Sequence, residues 1–179
     1  MRNTFDPYTW HNNLYFRWTA LPVLAHMFSW MTGVGGVLLF PILITVAQYL
    51  IFKVHPAVAR PGFWFVTLPI TFICWVKWGP FITSTQSGGI IQGVTAYYIG
   101  QLVIALFIPL IIKPERPEFL LNWIGCTITS GLGWVVLYWF VTGMQGNKVN
   151  IPGNVTIFLI YPAIALIANS ASGFFLLKE

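Results

Sequence analysis

The sequence predicts an all-α integral membrane protein, a bundle of about five transmembrane helices, and three observations carry that expectation. Hydrophobic residues make up 57% of the 179 and charged residues only 7%, whereas about 25% of the residues of a soluble domain are charged. The mean hydropathy is +0.76. The apolar residues fall in long runs without strand-like alternation. A hydrocarbon core about 30 Å thick needs about 20 such residues in a helix, the spanning element that bonds its own backbone.

Residues 1–20 precede the first run and mix Tyr8, Trp10, Tyr15, Phe16 and Trp18 with Arg2, Asp6, His11 and Arg17. Rings with one wet edge suit the headgroup layer, so this stretch is expected to be an interfacial N-terminal segment. It is too long and polar for a cleaved leader, and no small-residue cleavage site closes a short apolar core. Residues 21–179 are expected to form one transmembrane domain. The first run, 21–52, would be about 48 Å long as a helix and exceeds the bilayer core. It is read as one long kinked helix, with Pro41, Gly33, Gly35 and Gly36 as weak points. The alternative breaks it at Gly33–Gly36 and leaves two halves too short to span. Further spans are expected over about 62–84, 88–112, 119–143 and 154–177, with Pro117 and Glu118 suiting a helix start.

Charge supports topology and little else. The net charge is +5, but the cations are scattered singly and form no basic block, which excludes nucleic acid as a partner. With five spans, Lys53, Arg60, Lys113, Arg116 and Lys178 share one side, and Arg2, Arg17 and Lys148 the other. The positive-inside rule then places the N-terminus outside and the C-terminus inside.

Few residues carry chemistry. Lys77 is the one ionised side chain well inside a span, and a charge there costs about 3 kcal/mol at the helix centre. It is a candidate for a polar path, with snorkelling to the interface as its competing use. His26 lies inside the first span and His55 beyond it, too far apart to share a metal, so His26 is the candidate cofactor ligand, completed by another subunit. Gln101, Asn122 and Asn169 could bond across helices or line a path. Gly125, Thr129 and Gly133, with Ala165 and Gly173, form small-residue stripes of the kind that lets helices approach closely. Cys74 and Cys126 lack metal-ligand spacing. No expected span holds Asp or Glu, which removes the usual carboxylate relay of pumps.

By elimination, the sequence points to an accessory or structural subunit of a larger membrane complex, not catalytic on its own. The expected setting is an energy-transducing assembly, respiratory or another oxidoreductase, in which the chain packs against cofactor-bearing subunits. The partners would be the lipid bilayer and other membrane subunits, and the sequence names no cofactor. Two other readings stand beside it: a small homo-oligomeric transporter or channel using Lys77, and an oxidoreductase subunit ligating a haem or metal through His26.

Overall fold

A left-handed glycine decides the course of the first third of the chain. The computed structural model describes residues 13–33, 36–78, 97–145 and 153–176. Helix α1 (Leu14–Met31) starts at Asn13, whose side chain accepts the Phe16 amide at 3.1 Å as an N-cap. It stops where the Thr32 hydroxyl donates to the Ser29 carbonyl at 2.7 Å and Gly33 takes φ +61°, a conformation glycine reaches without strain. Helix α2 (Gly36–Phe52) then returns antiparallel to α1. Arg17 Nη1 donates to the Leu50 carbonyl at 2.6 Å, and the His26 and Phe40 rings lie 5.8 Å apart, so the start of α1 lies beside the end of α2.

The expectation of one long kinked helix over 21–52 is therefore corrected: the run is a hairpin of two helices. Pro41, the suspected kink, sits inside α2, where the Thr45 hydroxyl donates to the Pro41 carbonyl at 2.8 Å. Helix α1 also begins inside the stretch read as interfacial, taking in Tyr15 and Trp18. The resulting helices of 18 and 17 residues are each about 26 Å long.

A 3₁₀ turn (Pro61–Thr67) leads into α3 (Leu68–Trp78). The described part of α4 covers 97–105, followed by a 3₁₀ turn at Ile108–Leu110. Helix α5 (Glu118–Gln145) has 28 residues. Helix α6 (Gly153–Phe175) contains a widened π stretch, Thr156–Ile160, just ahead of Pro162 and closes in a 3₁₀ turn. Proline has no amide proton to give the preceding turn, and a π stretch absorbs such a break in register. Every named element is a helix, and extended pairing among the described residues is confined to a bridge between Val58 and Ile112.

Among the described residues, α5 and α6 are the two helices long and apolar enough to cross a membrane, with mean hydropathies of 1.6 and 1.7. The apolar stretches Leu38–Phe52 and Pro61–Cys74 are shorter, and the expected third span lies partly outside the described residues. Helices α5 and α6 run antiparallel: Gly125 meets the Phe175 ring near one end, and Trp134 and Tyr138 meet Tyr161 towards the other. The largest buried cluster joins the start of α1, the end of α2 and the start of α5 through aromatic rings. Phe52 lies 4.6 Å from both Trp64 and Trp123, and Trp123 lies 5.1 Å from Trp18. Such pairs add roughly 0.5–1.5 kcal/mol each beyond the area they bury.

Candidate functional site

Polar groups buried between apolar helices must find partners there, and in this chain many of them find one another. One network joins α1, α4, α5 and α6. The Ser130 hydroxyl donates to Asn169 Oδ1 at 2.6 Å, which leaves its oxygen to accept from the Tyr98 hydroxyl at 3.0 Å. The Trp18 indole N–H is shared between the Asn169 carbonyl and the Ser172 hydroxyl, both at 3.0 Å. The Cys126 thiol donates to the Ser172 carbonyl at 3.2 Å. A second network joins α2, α4 and the turn before α3: Gln48 donates its amide to Gln101 Oε1 and accepts the Trp64 indole N–H at 3.0 Å. Trp123 Nε1 and Thr19 Oγ1 are the buried side-chain polar atoms without a partner among the described residues.

The suspected polar residues thus part company. Gln101 and Asn169 are buried and belong to separate networks, while Asn122 is half-buried on α5. Lys77 belongs to α3, but its side chain lies outside what is described. Next to Gln101, a cavity of about 10 Å³ is lined by Phe40, Thr71, Cys74, Tyr97 and Gly100. That is room for about one water molecule.

His26 is half-buried, its ring 5.9 Å from Trp30 and 5.8 Å from Phe40. His55 follows the far end of α2, about 18 Å further along the helix than Phe40. The two imidazoles therefore stay apart, and no three His, Cys, Asp or Glu come together among the described residues. His55 is buried: its Nδ1 accepts the Ala57 amide at 3.1 Å, which leaves Nε2 to carry the proton facing the Leu176 carbonyl at 3.3 Å. Burial is the main cause that pushes its pKa down to about 4. The Leu176 carbonyl opposes that shift, and Arg116 and Lys113 add to it.

Four of the five small residues lie at helix contacts. A Cβ on Gly133 would touch Ala168 at 3.4 Å, one on Gly125 would meet Phe175 at 3.1 Å, and one on Gly173 would press into Tyr15 at 2.8 Å. Ala165 packs against the Trp134, Tyr138 and Ala168 cluster, and Thr129 is half-buried.

The hairpin also redistributes charge. Arg17 meets the end of α2, and the loops holding Lys53, Arg60, Lys113 and Arg116 are paired backbone to backbone. All five cations therefore lie at one end of the bundle. Sequence reasoning set Arg17 on the opposite side from the other four and missed Gln48, Trp64 and the His55 contacts. Nothing in a single apolar sequence says which polar side chain faces which helix. Comparison with protein-family models, with curated proteins and with solved structures gives no match.

Proposed function

We propose that the chain is an integral membrane protein serving as an accessory, non-catalytic subunit of a larger membrane assembly of the energy-transducing kind. The observation that carries this reading is the contrast between its inside and its outside. Inside, polar side chains bond one another across helices, and the cavity beside Gln101 has room for about one water. Outside, α5 displays Leu121, Ile128, Leu132, Val136, Trp139 and Phe140, with Leu121 71% and Phe140 66% exposed. A soluble monomer rarely leaves so continuous an apolar face in water, whereas lipid and neighbouring helices cover one.

Counted with the four other expected spans, the hairpin makes the arrangement we propose one of six crossings in place of five. Six crossings put both ends of the chain on the same side, and the five clustered cations make that side cytoplasmic under the positive-inside rule. A photo-crosslinking residue at Leu132, on the α5 face, tests the assembly in native membranes. The expected product is a discrete adduct with a different polypeptide. Adducts with lipid alone, or with a second copy of the chain alone, would overturn the accessory reading.

A further inference from the structure

The loops at the cationic end are built more rigidly than a solvated turn requires. The Ala59 and Arg60 amides donate to the Ile111 carbonyl at 2.8 and 3.0 Å, the Lys113 amide donates to the Ala57 carbonyl at 2.9 Å, and the Lys113 ammonium donates to the Pro56 carbonyl. Beneath them, His55 bonds the Ala57 amide and packs its ring 4.4 Å from Phe119. This plate carries Lys53, Arg60, Lys113 and Arg116, all exposed, against the carboxylates Glu115 and Glu118. Of these pairs, Arg116 and Glu118 lie 3.7 Å apart. Beside the plate, the 3₁₀ turns Pro61–Thr67 and Ile108–Leu110 pack together and expose Phe63, Phe65, Val66 and Leu110.

We propose that this plate is a docking surface for the headgroups of anionic phospholipids, with the exposed rings and aliphatic side chains beside it meeting the upper acyl chains. The inference rests on the membrane reading above. Charge complementarity and the apolar border select the occupant: a phosphodiester joined to hydrocarbon matches both parts, whereas an acidic soluble protein matches the cations and leaves the rings uncovered. Cations held near an anionic leaflet attract it additively, and salt screens that attraction within about 10 Å at 0.1 M.

The test is a melting curve of the full chain in neutral detergent, titrated with phosphatidylglycerol or with phosphatidylcholine of the same acyl chains. Phosphatidylglycerol is expected to raise the midpoint, phosphatidylcholine to leave it, and 0.5 M salt to remove most of the difference. The double variant Lys53→Gln, Arg60→Gln changes two exposed side chains and spares Lys113, which holds the loops together. It is expected to melt like the parent without lipid and to need about 25-fold more phosphatidylglycerol, about fivefold per cation. Equal responses to the two lipids, or an unchanged titration in the variant, would overturn the proposal. So would stabilisation by a polyglutamate peptide without any by phosphatidylglycerol. Membranes washed in alkaline carbonate separate the two readings: release of the chain refutes the membrane reading, while retention without lipid discrimination refutes the docking surface alone.

Discussion

Gly173→Ala sets two effects of opposite sign against each other. In an open helical position, replacing glycine by alanine stabilises by about 1 kcal/mol, because the backbone has less freedom to lose. Gly173 has φ −58°, so alanine suits its backbone. The obstacle is the neighbouring helix: the new Cβ would sit 2.8 Å from Tyr15 Cε2, 2.9 Å from Cδ2 and 3.2 Å from Trp18 Cδ1. Neither ring yields easily. The Tyr15 hydroxyl donates to the Ser170 carbonyl at 3.0 Å, and the Trp18 indole is held by Asn169 and Ser172. Overpacking of this kind costs about 1–3 kcal/mol, so the net effect is a destabilisation of about 1 kcal/mol. In a Tyr15→Ala background the same substitution becomes neutral or stabilising, a coupling of about 1–2 kcal/mol. Gly143→Ala in α5, where nothing lies within 4 Å, serves as the open control and is stabilising. Equilibrium unfolding in mixed micelles, with increasing mole fraction of a denaturing detergent, measures all four variants. If Gly173→Ala stabilises as much as Gly143→Ala in the parent, the close approach of α1 and α6 is refuted.

Gln101→Leu strips the partner from the buried Gln48 amide and is expected to cost about 1–3 kcal/mol; adding Gln48→Leu should cost less than the sum, as the same unfolding titration reads out. His55 is neutral when folded, so the unfolded chain takes up a proton below about pH 6.5 and the folded one only near pH 4. Stability is therefore full at pH 7 and falls as pH drops through that window, by up to about 3 kcal/mol. A His55→Gln chain, melted at pH 7.5 and pH 5, should lose less than the parent, and an identical loss would remove His55 as the cause. Reporter fusions active only in the cytoplasm should succeed at both ends of the chain; activity at one end alone would contradict the six-crossing arrangement.

Helical class was legible in the composition because apolar runs longer than 20 residues leave the backbone few other solutions. The hairpin was half legible. Gly33–Gly36 marked the break, but the halves it leaves within 21–52 are too short to span, because α1 begins earlier, among residues that looked interfacial. Tyr15 and Trp18 resemble headgroup anchors by type, yet Trp18 is 7% exposed and bonded to α6. Placing them requires knowing that α6 ends beside α1, a contact about 150 residues away along the chain. The small residues on α5 and α6 could be read from four-residue spacing, because close helix approach constrains size. The pairing of Gln48 with Gln101, or Ser130 with Asn169, leaves no such trace, since any polar residue at any depth would read alike.

The central claim is that this chain works inside a larger assembly. It is tested most directly by the mass, subunit composition and absorption spectrum of the native particle extracted in mild detergent. The expected particle is a hetero-oligomer in which the chain accompanies larger subunits in fixed stoichiometry, with a pigment carried by those partners. A colourless particle at a small multiple of 20.2 kDa, composed of this chain alone, would contradict it.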